Sequence, residues 1–237
     1  MGLAHSPRIV TDGLILALDA GNTKSYPGSG TTWTDLSGNG NNGTLTSMNG
    51  SNYNSANGGY LDFDGTADYV DVSGSTTVSA ATFLAWVRLD GDQSSFTGVV
   101  YSRGTNTSGM GFYNVTEQIG YTWNDDSNTY GWQSGLYVPT QEWCMMVVTV
   151  TSSVATAYLC RSSGITSSTN SISHSSTILD SIEIGRDSHL SRFFDGRISM
   201  AMIYDYNGES GGVEGFGYES QAGNSGGLGI VATQLLD

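Results

Sequence analysis

Three observations predict an all-β chain, a two-sheet antiparallel jelly-roll sandwich. Short apolar or alternating runs recur between turn clusters from residue 13 to residue 204. Glycine supplies 33 of the 237 residues and proline only 3, so turns are plentiful while strands are seldom interrupted. Charged residues make up 13%, too few for a helical bundle, and no run shows a convincing amphipathic helical period.

The expected strands follow in chain order. Residues 13–19 form a fully apolar run that reads as buried. Residues 60–64 alternate, and 69–72 follow after a glycine turn. Residues 81–89 make a long core strand, and 99–101 and 111–115 are shorter. Runs 142–151 and 154–161 form a hairpin, expected to turn at Thr151-Ser152-Ser153. Residues 181–185 and 196–204 complete the set. Several of these runs are apolar on both faces, as strands in the middle of packed sheets are. The chain divides into an arm, 1–8, a sandwich, 9–206, and a glycine-rich tail, 207–237. Nine glycines in that tail precede an apolar end containing Ile230, Val231, Leu235 and Leu236, which reads as an arm docking on a partner.

A chain of this length buries roughly 70–75% of its unfolded surface, so no disulfide or metal is required for folding. The formal net charge is −14, with no basic cluster, which argues against nucleic acid as a partner. No signal-peptide run and no stretch of membrane-spanning length is visible, so synthesis in the cytoplasm without membrane insertion is expected. Cys144 and Cys160 would face each other across a three-residue hairpin turn; reduced core thiols are preferred over a disulfide. Four Asn-x-Ser/Thr triplets, at Asn42, Asn49, Asn106 and Asn114, are read as turn chemistry.

The strand signatures resemble those of concanavalin A-like, laminin-G-like jelly rolls. Leu61-Asp62-Phe63-Asp64-Gly65 with Asp68-Tyr69-Val70 resembles one element of that family. Phe83-Leu84-Ala85-Trp86-Val87-Arg88 and the run from Trp143 to Val150 resemble two more. Ile182-Glu183-Ile184-Gly185 and Phe194-Asp195-Gly196-Arg197-Ile198, with Ile203-Tyr204, resemble the closing pair. Five motifs in order cover about 9–206. The stretch from Val10 to Gly40 resembles laminin-G-like proteins of tailed phages. The resemblance implies a non-enzymatic virion surface protein, first a capsid decoration protein. Its partners would be other virion proteins, further copies of itself, or a host-surface glycan. A receptor-binding lectin module of a tail fibre and a glycoside hydrolase scaffold are the alternatives.

Candidate chemistry is sparse. The glucanases of this family carry closely spaced carboxylates on one strand. Six glutamates are present, none in that pattern, and Glu183 lacks an acidic residue two positions on. His5, His174 and His189 are expected at the surface, and no catalytic residue is assigned. No cofactor is required. Ca²⁺ is the one candidate ion: Asp35, Ser37, Asn39 and Asn41 place oxygens at alternating positions, with Thr46 where an EF-hand would have glutamate. Trp123, Asn124, Asp125, Tyr130 and Trp132 combine aromatic rings with amides and a carboxylate, the materials of a sugar site.

Overall fold

The computed structural model describes residues 11–113, 117–190 and 192–205, and the backbone of 216–218 and 230–232. Two antiparallel sheets pack face to face. The larger has eight strands, running from the edge Gly164–Asn170 through Ala155–Arg161, Trp143–Val150 and Ala81–Leu89 to Asp195–Asp205. The far side of that last strand is shared. Tyr60–Asp64, backed by Tyr53–Asn54, pairs with its first half, and Leu14–Asp19 pairs with its second. The smaller sheet runs Gln118–Thr122, Thr107–Tyr113, Gly98–Arg103, Thr177–Ile184, Tyr69–Val78, Gly43–Thr46, Thr32–Trp33. This is the expected jelly-roll sandwich. The one α-helix among the described residues, Ser127–Tyr130, is capped by Asp126, whose carboxylate accepts from the Asn128 amide.

Alternation along the strands fills the space between the sheets. Phe83, Ala85, Val87 and Leu89 point inward from one central strand, Cys144, Met146, Val148 and Val150 from its neighbour. Val70, Val72, Phe112, Ile119, Ile182 and Ile184 meet them from the other sheet. Each such side chain contributes roughly 1.5–3 kcal/mol on burial.

The runs that read as apolar on both faces have a second cause besides the inter-sheet core. Leu84, Trp86, Met145, Val147, Met200 and Met202 point outward from the larger sheet and form their own cluster. The register pairs Val147 with Leu84 and Leu84 with Met202, so the cluster crosses three adjacent strands.

The hairpin at 151–154 corrects the expected register. Val150 pairs with Ala155 around a two-residue turn, closed by the Thr151 amide donating to the Val154 carbonyl at 2.8 Å. Met145, not Cys144, therefore faces Cys160. A one-residue slip moves a strand's side chains to the other face. Cys144 points into the core, Cys160 outward, and both are free thiols.

Two motifs have local explanations. Asp64 Oδ1 accepts from the amides of Thr66, Ala67 and Asp68 and its Oδ2 from the Thr66 hydroxyl, tying the loop between Tyr60–Asp64 and Tyr69–Val78. Gly185 ends Thr177–Ile184 at φ +80°, and a Cβ there would lie 2.5 Å from the Phe63 ring.

Candidate functional site

The outward face of the smaller sheet carries a trough built by glycines. Gly98 pairs with Gly111, and Gly111 with Gly120, so three adjacent strands lack side chains in one row. A glycine row inside a sheet lets another stretch of backbone approach closely, and here the chain supplies it: a Cβ at Gly98 would lie 2.6 Å from the Arg186 carbonyl oxygen and one at Gly111 2.2 Å from that of Thr97. Gly111 and Gly120 line the floor; Phe96, Tyr113 and Tyr130 form the walls, and Tyr101 and Thr122 one end. The cavity itself is about 10 Å³, roughly the room of one water molecule, so any larger ligand would rest across its open mouth.

The walls are held in place. Phe96 stands edge-on to Tyr113 at 6.1 Å and to Tyr130 at 6.4 Å. Arg192 lies over Phe96 at 5.0 Å and Arg103 over Tyr101 at 5.6 Å. Both guanidiniums bind Asp187, which is 0% exposed: Arg103 Nη2 and Arg192 Nη1 donate to its Oδ2 at 2.9 and 2.8 Å. Tyr101 and Thr122 share a 2.6 Å hydrogen bond between hydroxyls. Burial, and after it the charge of Asp187, pushes the Tyr101 phenol up to about 12, so it stays a neutral hydroxyl at physiological pH.

Among the described residues no Asp or Glu lines the trough. On the same face Glu183 is bound at both oxygens by Arg186, which stacks 3.4 Å from the centroid of Tyr69. Glu183 and Asp187 are thus both paired with arginine.

The structure separates the five residues expected to bind sugar. Tyr130 is on the trough wall and 38% exposed. Trp123 is not available as a stacking plate: it is 2% exposed in the core, and its indole N–H donates to the Ser175 carbonyl at 2.6 Å. Trp132 is half-buried against Tyr121, edge-on at 5.7 Å. Asn124 donates to the Ser175 hydroxyl and the Ser176 carbonyl, tying two loops, while Asp125 is exposed beside it. Phe96 and Tyr113, missed in the sequence, complete the wall. The signal was the alternation of glycine at 109 and 111 with Gly120 a strand away.

His174 is buried, not at the surface. Its ring contacts the Tyr121 hydroxyl at 3.0 Å and the Thr151 carbonyl at 2.9 Å, and burial lowers its pKa.

The Asp35 loop turns inward. Asp35 Oδ1 accepts from the amides of Ala17 and Ser37, and Oδ2 from the Ser37 hydroxyl and the Asn41 amide. The side-chain amides of Asn39 and Asn41 donate to the Ile15 carbonyl. These groups fasten the loop to Leu14–Asp19 and do not converge as cation ligands. Among the described residues no three His, Cys, Asp or Glu side chains gather as a metal site. Leu235 and Leu236 lie outside the described residues, and Ile230 and Val231 are described only as backbone.

A two-sheet antiparallel sandwich of this topology is a concanavalin A-like jelly roll. The chain belongs to the concanavalin A-like lectin/glucanases superfamily, whose model matches residues 64–209, more than half of its length. A search of curated proteins finds no match. Among solved structures, domain 4 of AbnA, a GH43 extracellular arabinanase from Geobacillus stearothermophilus in complex with arabinotriose, is similar at 17% identity and TM-score 0.57. The match covers 81% of this chain and 92% of that one. Trypanosoma rangeli sialidase in complex with the inhibitor DANA is similar at 13% identity and TM-score 0.56, over 85% of this chain and 33% of the sialidase. The chain thus spans about a third of the sialidase, and at such identities the likeness is one of fold.

Proposed function

We propose that the chain is a non-catalytic carbohydrate-binding jelly roll displayed on a virion exterior. The observation that carries the binding reading is the glycine-floored trough with aromatic walls and, among the described residues, no lining carboxylate. Aromatic faces take up the C–H faces of a sugar ring. A glycosidase needs two free carboxyl groups flanking the bond it cleaves. Here Glu183 and Asp187 are each engaged by arginine. The arabinotriose complex of the AbnA domain is compatible with a sugar ligand on this fold.

The test is a neutral-oligosaccharide array followed by calorimetry on the best ligand. Tyr130→Ala should weaken binding at least tenfold and leave the melting temperature within about 2 °C, as an exposed side chain should. Binding that is unchanged in both Tyr130→Ala and Phe96→Ala would dispose of the trough as the site. Release of reducing ends at a rate abolished by Glu183→Gln would replace binding by catalysis.

The virion setting is supported by the resemblance of residues 10–40 to tailed-phage proteins. Capsid decoration is the first form of it and a tail-fibre lectin the second. Copy number per purified particle separates them: hundreds on the head for decoration, few on the tail for a fibre. Absence from particles overturns both.

A further inference from the structure

Each sheet of an open sandwich ends in edges that could pair with another chain, and most are closed here. Thr32–Trp33 and Tyr53–Asn54 are edge strands of two residues, too short to template another. Beside Gln118–Thr122 lies a later stretch of the chain. The Ile119 amide donates to the Leu136 carbonyl at 2.9 Å, and the Val138 amide to the Glu117 carbonyl at 2.8 Å. The Asp35 loop closes the edge of Leu14–Asp19. The Ala17 amide donates to Asp35 Oδ1 and the Leu36 amide to the Ala17 carbonyl, both at 2.9 Å.

Gly164–Asn170 has none of these devices. It is seven residues long, pairs with Ala155–Arg161 without a register shift, and contains no proline and no charge. Arg161 faces Gly164 across a two-residue turn, which makes them a hydrogen-bonded pair, and such pairs alternate with open ones. The main-chain N–H and C=O groups of Ile165, Ser167 and Thr169 therefore point away from the sheet, and no hydrogen bond from a described residue reaches them. Ile165 is 51% exposed. An edge of this kind templates a further strand.

We infer that this edge pairs with the same edge of a second copy of the chain, antiparallel about a twofold axis at Ser167. Charge selects that occupant and that direction. The net charge is −14, so close approach of two copies is least opposed where charge is absent, and residues 162–179 include no Asp, Glu, Lys or Arg. At one end of the strand, Asn170 Nδ2 donates to the Asn128 carbonyl, in the helix that Asp126 caps. At the other end, Arg161 binds both oxygens of Glu142. An antiparallel seam sets the Asp126 end of one copy beside the Arg161 end of the other. It keeps the two copies of Asp126 apart by the length of the strand, about 20 Å, beyond the roughly 8 Å over which exposed charges act at physiological salt. A parallel seam would bring them together. Ile165 stands opposite Thr169 of the second copy, a β-branched cross-strand pair.

Sedimentation of the full chain at about 0.1 mM should give the mass of two chains. Ser167→Pro removes an outward donor and leaves the internal ladder intact, so it should weaken the association at least tenfold. A wild type with the mass of one chain, or an association that Ser167→Pro leaves unchanged, overturns the proposal. If Ser167→Pro fails to fold, Ser167→Cys decides. Residues opposite each other in a hydrogen-bonded antiparallel pair have Cα atoms about 5.5 Å apart, within disulfide reach. Oxidation should therefore convert most Ser167→Cys chains to a reducible covalent dimer, and should leave Ile165→Cys chains single because those positions are offset. No crosslink at position 167, or equal crosslinking at 165 and 167, overturns the twofold seam.

Discussion

Asp68 shows how a residue can matter through its protonation. It is buried beneath the Asp64 loop, and one oxygen accepts from the Asn52 amide at 2.9 Å. Burial, with the charge of Asp64 adding to it, raises its pKa to about 6. Asp64 is opposite: burial raises it, but hydrogen bonds from the Thr66 hydroxyl and the loop amides outweigh that and hold it at about 2. A carboxyl raised in the folded state binds more protons there than in the unfolded chain, so its contribution is full near pH 4 and is lost as pH rises through 6. Asp64 contributes the reverse, above pH 4 and lost as pH falls toward 2. Asp68→Asn should therefore gain about 1–2 kcal/mol on the wild type at pH 7 and close to nothing at pH 3, measured by urea unfolding. An equal difference at both pH values would show that Asp68 does not titrate in this window. The cysteines give a second residue-scale expectation. Burial pushes Cys144 to about 12 and Cys160 to about 11, so neither forms a thiolate at pH 8. Ellman's reagent should read close to zero thiols per native chain and two after denaturation. Such pairings were not legible in sequence, because the identity of a cysteine's neighbours turned on a single residue in the hairpin turn.

At the scale of elements, alternation announced the central strands, since Ala81–Leu89 and Trp143–Val150 bury apolar groups on both sides. Gly164–Asn170 escaped notice because it is an edge strand, mostly exposed, in which Ile165 is the one large apolar side chain and serine, threonine and asparagine fill the rest, so nothing apolar repeats. Thr32–Trp33 and Gly43–Thr46 are too short to show a period. The trough was half legible: Tyr130 stood out, but Phe96 and Tyr113 reach it only through strand pairing and a loop some thirty residues away. The Asp35 loop was legible as a cluster of oxygens but not its partners, because backbone amides satisfy a carboxylate as well as a cation does and reach it only in the fold. Asp35→Ala should cost about 2–4 kcal/mol by leaving the buried Ala17 amide and its neighbours without acceptors. Neither EDTA nor excess Ca²⁺ should move the wild-type melting temperature. A rise of several degrees with Ca²⁺ would restore the loop as an ion site.

The whole molecule depends on contacts between distant parts of the chain. Among the described strands Leu14–Asp19 pairs only with Asp195–Asp205, and Leu16 and Leu18 are fully buried where they meet. Leu16→Ala should cost about 2–5 kcal/mol, with circular dichroism and tryptophan fluorescence still reporting one shared transition. Two separated transitions would mean that this edge unfolds on its own. The same pairing bears on synthesis. Asp195–Asp205 sits between Ala81–Leu89 on one side and Leu14–Asp19 and Tyr60–Asp64 on the other, so the larger sheet stays in three pieces until that strand has left the ribosome. For most of translation the nascent chain carries unpaired, apolar strand edges, the kind that recruit strands from neighbouring chains on a polysome. Yield in a host should therefore respond to elongation speed and chaperone supply more than the stability of the finished sandwich would suggest.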